Sequence, residues 1–448
     1  MHRDIDLIYQ NTSGVEAPAL EAGHRALEEY VDFVWKLAQG GNEKGFDYGY
    51  YESSVVLPLD GVFRNTLFQK IQEKRNKELR YIVVVGIGGS NLGTLALYRA
   101  LRGRLETLVN KDSPKIIFID TVSPPLALQM IDFVNNQISS PEEVLINTIS
   151  KSGETTETVA NFEVIYDALK KRFGDKINER LIFTTDKGSK LWDVAQEKKL
   201  DVLEIPEKVG GRYSVLSAVG LFPLGLAGFN VELFWNGAAE MVKRCTNKDV
   251  FQNPALISAI STYVHYAKGL NIYNNFYFNP ELKTMGKWYS QLMAESVGKE
   301  FNLSNQKVNI GITPIVSIGS TDLHPMAQLF FGGPKDKFTQ FVHASQKEGS
   351  PELPPELFMP ELVPNIKGKS IADIMNAIFY GVKIAYLKNG LPYSEIVMHE
   401  ISEDSLGQYL QLKMIETMYL ARLLNVNAFD QPRVEDYKRE TREILKKL

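Results

Sequence analysis

Residues 79–105 read LRYIVVVGIGGSNLGTLALYRALRGRL: a continuous β-branched run, a glycine cluster, and a stretch with helical periodicity. An apolar run without alternation predicts a strand buried on both faces, the condition of a parallel sheet covered by helices. The same unit recurs downstream. KIIFID (115–120) precedes LALQMIDFVNNQI (126–138), EVLINTIS (143–150) precedes ETVANFEVIYDALKKRF (157–173), and RLIFTTD (180–186) precedes SKLWDVAQEKK (189–199). DVLEIP (201–206) closes the series before the loop VGGRYSVLS (209–217). Strands alternating with helices in this way predict a doubly wound α/β domain.

The second half is less regular. Helical patterns cover 255–268 and 370–388, and NIYNNFYF (271–278), KFTQFVHAS (337–345) and SEIVMHEI (394–401) are candidate strands, so a second α/β domain is expected there. The stretch QKEGSPELPPELFMPELVP (346–364) is rich in Pro and Glu and predicts an irregular surface excursion. The first 60 residues look partly helical, and the terminal YKRETREILKKL (437–448) reads as a solvated mixed-charge helix.

Composition narrows the function. A chain of 448 residues is long enough for two cores, and its formal charge of -4 gives no broad basic footprint for nucleic acid, which leaves a small-molecule partner as the expectation. Cys245 is the only cysteine, which favours a reducing, cytoplasmic setting. MHRDIDLIYQ at the start does not read as a secretory signal, and the most apolar stretch, 218–229, is too short to span a bilayer, so no membrane role is expected. The six histidines (His2, His24, His265, His324, His343, His399) are scattered, with no metal-ligand spacing, and no metal is expected.

Two loops point to an anion. GIGGSNLG (86–93) follows a strand and opens a helix, where glycines let backbone amides approach a negative group. It fails the dinucleotide pattern G-x-G-x-x-G because Asn91 occupies the third glycine position. SKSGETTET (150–158) occupies the equivalent place after another strand, and Ser150, Ser152, Thr155 and Thr158 supply four hydroxyls beside Lys151. One hydroxyl would suffice to cap a helix, whereas four suit a phosphate dianion. Both loops leave the carboxyl ends of parallel strands and can converge on one crevice. Further on, Arg212 follows paired glycines, Glu295 stands among apolar residues in QLMAESVGKE (291–300), and His324 follows GSTDL. These are a candidate oxyanion partner, a general base and a proton carrier.

Taken in order, GIGGSNLG, SKSGETTET, GGRYSVLS, QLMAESVGKE, the histidine after GSTDL and NAFDQPRVEDYK (427–438) resemble the glucose-6-phosphate isomerase family. The resemblance implies two three-layer αβα sugar-isomerase (SIS) domains of flavodoxin-like topology. It places an N-terminal helical arm at 1–60, the domains at 61–230 and 231–425, and a C-terminal segment at 426–448. It further implies a homodimer with shared active sites, a role in glycolysis and gluconeogenesis, and no cofactor. Carried over residue by residue, the phosphate pocket is Ser90, Ser150, Lys151, Ser152 and Thr155 with the backbone of Gly89. Glu295 is the base that shuttles a proton through a cis-enediol, and Arg212 steadies the enediolate. His324, from the partner subunit, and Lys438 open the sugar ring, and Gln291 and Gln431 bind hydroxyls. A sugar-phosphate sensor would keep the hydroxyl loop without needing Glu295, and a redox enzyme would place a dinucleotide in the first crevice.

Overall fold

In the computed structural model, residues 5–42, 44–103, 105, 113–345 and 349–448 are described. Two five-stranded sheets organise the molecule. In the first, β2 (Tyr81–Val85), β3 (Lys115–Ile119), β4 (Val144–Ile149), β5 (Leu181–Asp186) and β6 (Asp201–Ile205) are all parallel, in the order β3-β2-β4-β5-β6. Every residue of β4 is buried, which explains its unbroken apolar reading. Alternate side chains serve opposite faces. Val83, Val85, Val144, Ile146, Leu181 and Phe183 pack under helices Pro124–Gln137, Thr156–Phe173 and Lys190–Glu197. Ile82, Val84, Leu145, Ile149 and Ile182 face helices Leu92–Arg102 and Ala218–Leu226 in the main core.

The second sheet repeats the plan. β7 (Ile272–Tyr277), β10 (Thr313–Ile318), β11 (Lys337–Ala344) and β12 (Tyr393–Met398) run parallel in the order β10-β7-β11-β12, and β1 (Asp6–Ile8) adds antiparallel to β12. In both sheets the first parallel strand lies inside the second, the arrangement of flavodoxin-like sheets. One face carries the aromatic cluster Phe276, Phe278, Phe330, Phe341, Phe379 and Tyr386, shared with helices Leu323–Gly332 and Ile371–Lys388. The other meets helices Pro254–Ala267, Lys283–Val297 and Glu403–Leu423 in the main core, where every residue from Ser405 to Ala421 is buried.

The candidate strands at 271–278, 337–345 and 394–401 are β7, β11 and β12. Four strands have no counterpart in the sequence pattern: β10, the antiparallel pair β8 (Lys299–Phe301) and β9 (Lys307–Ile310), and β1. The stretch at 346–364 begins with residues outside the described ones, and from 349 it carries turns and a single bridge, Glu352 to Ser370. Among the described residues, no helix is long and apolar enough to cross a membrane.

Candidate active site

Because β2 lies between β3 and β4, the connection after β2 runs toward one edge of the sheet and that after β4 toward the other, which opens a crevice at the carboxyl ends of β2 and β4. The two predicted anion loops leave those ends. A β-carbon on Gly86 would stand 3.0 Å from the Ile149 carbonyl and 3.0 Å from the Ser90 β-carbon, so Ser90 sits against the end of β4. Ser150 is buried, its hydroxyl 2.9 Å from that of Thr155 and accepting from the Gly153 amide at 3.1 Å. Thr155 precedes helix Thr156–Phe173 without capping it through its side chain, and the exposed Ser152 accepts from the Glu154 amide at 3.4 Å. The Thr158 hydroxyl is buried with no hydrogen-bond partner among the described residues. Hydroxyls and helix-start amides thus gather at one point, as an anion site requires.

Lys151 departs from the simple picture. Its ammonium donates to the Glu207 and Val209 carbonyls at 2.7 and 2.9 Å and stands 3.8 Å from Asp186 Oδ2. Burial depresses its pKa, with Asp186 opposing. The side chain ties the hydroxyl loop to the segment entering Gly210 rather than pointing its charge between the hydroxyls.

That segment brings the second half of the chemistry. Gly89 is where the loops touch: a β-carbon there would lie 2.3 Å from the Gly211 carbonyl carbon and 2.7 Å from the Arg212 amide nitrogen, so only glycine fits. Arg212 is buried, and all five of its N–H groups are engaged. Nε donates to Ser296 Oγ at 2.8 Å, Nη1 to Glu295 Oε2 at 3.1 Å and Gln431 Oε1 at 2.8 Å, and Nη2 to the carbonyls of Ala428 and Asp430. Glu295 receives its second hydrogen bond from Gln291, Nε2 to Oε1 at 2.8 Å. Gln291 Nε2 lies 3.1 Å from where a side chain on Gly88 would begin, which closes the circuit back to the first loop. The expected apolar surround of Glu295 is therefore not what holds its carboxylate. An arginine and an amide clamp it, and its side chain keeps 31% of its exposure.

The family model Phosphoglucose isomerase matches residues 69–448. The chain belongs to the phosphoglucose isomerase family. It is 34% identical to the glucose-6-phosphate isomerase of Methanocaldococcus jannaschii over 88% of this chain and 92% of that protein. It is 30% identical to that of Symbiobacterium thermophilum over 96% and 92%. Hypothetical protein TT0462 from Thermus thermophilus superposes with a TM-score of 0.83 at 28% identity, covering 99% of this chain and all (100%) of that one. A glucose-6-phosphate isomerase from Chlamydia trachomatis shares the fold at a TM-score of 0.78 and 22% identity over 96% and 86%.

Two residues assigned through the phosphoglucose isomerase resemblance stand apart. His324 is exposed in the first turn of helix Leu323–Gly332, and among the described residues no side-chain bond joins it to Glu295. Lys438 lies in helix Val434–Leu445, which buries none of its residues, and its ammonium pairs with Glu435 at 2.8 Å. Gln431, just ahead of that helix, does reach Arg212, and with Glu295, Lys299, Asp430 and Val434 it lines a cavity of about 780 Å³.

Four residues were not singled out from sequence. Ser296 takes the Arg212 Nε bond and lies 2.9 Å from the Tyr213 hydroxyl, while Lys299 and Asp430 form an ion pair at 2.9 Å beside the strap 428–431. Lys299 had a signal: a basic residue four positions after Glu295, just past Gly298, is where a side chain meets the last carbonyls of a helix.

Proposed function

We propose that this protein interconverts glucose 6-phosphate and fructose 6-phosphate. The observation that carries the reading is the clamped carboxylate of Glu295, joined through Arg212 and Gly89 to a hydroxyl-lined helix start in a chain of the phosphoglucose isomerase family. Ser90, Ser150, Ser152 and Thr155 hold the phosphate with the Gly89 amide, and Lys151 contributes its amide and braces the loop. Glu295 takes the proton from carbon two of the open-chain aldose and returns it to carbon one, the electron pair resting on oxygen as a cis-enediolate beside the Arg212 cation. Gln291 and Gln431 orient the sugar hydroxyls. The phosphate is remote from the reacting carbons, so its binding energy holds the chain in place for proton transfer.

Ring opening is assigned to Lys438 and to His324 of a second copy. The outward face of helix Ile371–Lys388 exposes Tyr380, Ile384 and Leu387, and this helix shares its aromatic cluster with the helix of His324. An apolar stripe there suits contact with another subunit. A coupled assay of fructose 6-phosphate to glucose 6-phosphate, run after chelator treatment, tests the activity, and absence of turnover would refute it. Mixing inactive Glu295→Gln and His324→Ala proteins tests the sharing: mixed dimers should regain activity, and two inactive halves that stay inactive would count against it.

A further inference from the structure

Lys299 lies just beyond helix Lys283–Val297, with its side chain only 6% exposed. An ammonium at that depth is costly unless all its protons are bound. Here three acceptors meet it: the Glu295 carbonyl at 2.7 Å, the Asp430 carbonyl, and Asp430 Oδ1 at 2.9 Å. The first is one of the orphan carbonyls of the helix end, where a cation is also favoured by the helix dipole. The second is shared with Arg212, whose Nη2 donates to the same oxygen at 3.2 Å. Two buried cations therefore converge on one peptide of the strap, and the next side chain, Gln431, falls against Arg212 Nη1 beside Glu295. Beyond the strap, helix Val434–Leu445 has no buried residue of its own to anchor it.

We propose that Lys299 is a positioning residue for the isomerase reaction: one ammonium fixes both the end of the helix that carries Glu295 and the strap that delivers Gln431. The inference rests on the isomerase reading above. Lys299 touches no reacting atom. Its loss should leave the phosphate cradle intact while letting Glu295 and Gln431 drift, and a misplacement of about 1 Å can cost roughly a hundredfold in rate.

The test compares Lys299→Met, which keeps the apolar stem, with Lys299→Arg. Measured are kcat and KM for fructose 6-phosphate, inhibition by inorganic phosphate, and tryptic cleavage within the exposed helix Val434–Leu445. Lys299→Met should lower kcat about 10- to 100-fold, leave phosphate inhibition within about twofold, and speed cleavage, with Lys299→Arg recovering much of both. Unchanged kcat, unchanged cleavage, or phosphate inhibition lost in step with kcat would overturn the proposal. If Lys299→Met does not fold, Asp430→Ala removes the ion pair from its half-exposed end and should produce the same split. Wild-type protein inactive on the sugar phosphates would sink the isomerase reading, whereas slow cleavage of the wild type beside fast cleavage of Lys299→Met would still show the strap.

Discussion

A single nitrogen of Arg212 serves both Glu295 and Gln431: Nη1 donates to the carboxylate at 3.1 Å and to the amide oxygen at 2.8 Å. The same guanidinium holds two strap carbonyls and Ser296, so it is the joint between the loop 210–217, the helix of Glu295 and the chain's final segment. Lysine has three donors on a flexible stem and cannot reproduce that fork. Arg212→Lys is expected to lower kcat at least a hundredfold and to destabilise the fold by about 2–4 kcal/mol, since buried carbonyls lose their partners. Steady-state kinetics and urea unfolding would show both. A variant stable as wild type would mean that the strap is held by other contacts.

Glu295→Gln keeps an oxygen for Arg212 and removes the base. Turnover should fall about a hundredfold or more while KM and phosphate inhibition change little, because the bond from Arg212 survives and a flip of the Gln291 amide turns its oxygen to accept from the new NH2 group. Near-normal turnover would take the proton transfer away from this residue.

Two facing glycines should behave oppositely. A β-carbon at Gly89 would strike the Gly211 carbonyl at 2.3–2.4 Å, backbone against backbone, whereas one at Gly211 finds its nearest neighbour, the Gly89 Cα, at 3.9 Å. Gly89→Ala must push the anion loop off the arginine loop, with loss of both phosphate affinity and turnover. Gly211→Ala is expected to remain active within about threefold, as an ordinary van der Waals contact implies. Equal effects of the two would show that the loops are not packed as described.

The first sheet was legible because each of its strands is buried on both faces and so reads as an unbroken apolar run, as β4 does. The position of the loops at 86–90 and 150–155 was legible for the same reason, since they begin where β2 and β4 end. β10 escaped because TPIVSI carries a proline and lies at a sheet edge. The roles of Ser296 and Asp430, and the hold of Lys299 on the strap, were hidden because they depend on the strap 428–431 folding back over more than a hundred residues, which no local spacing reports. The charge pair of helix Glu403–Leu423 was hidden too, since DSLGQYLQLKMIETMYLARL shows polar residues where the structure allows no water.

That pair, Lys413 and Glu416, has fully buried side chains (0% exposed) and is bonded at 2.8 Å, with Gln340 Oε1 accepting from Lys413 at 2.7 Å and Tyr289 donating to Glu416. Removing one partner strands a charge. Lys413→Met or Glu416→Leu alone is expected to cost about 3–5 kcal/mol, while the double replacement should recover most of it, because the desolvation of both ions disappears together. A double-mutant cycle by urea unfolding measures the coupling, and additive losses would contradict it.

Asp186, which faces Lys151 beside the crevice, makes stability depend on pH. Burial pushes its carboxyl up to about 6, Glu207 and Glu204 add to the rise, and Lys151 opposes it. The folded state thus holds this proton more tightly than the unfolded chain, whose aspartates titrate near ~3.9. Asp186 therefore favours the fold below about pH 4, and that contribution is lost as pH rises through about 6. Asp186→Asn has no such proton to lose, so it should exceed the wild type in stability at pH 8 by about 1–3 kcal/mol, with the gap closing toward pH ~4. Urea midpoints of both proteins at pH ~4, ~6 and ~8 provide the comparison. A gap that stays constant or widens in acid would mean that the Lys151 ammonium, 3.8 Å away, outweighs the desolvation of the carboxylate.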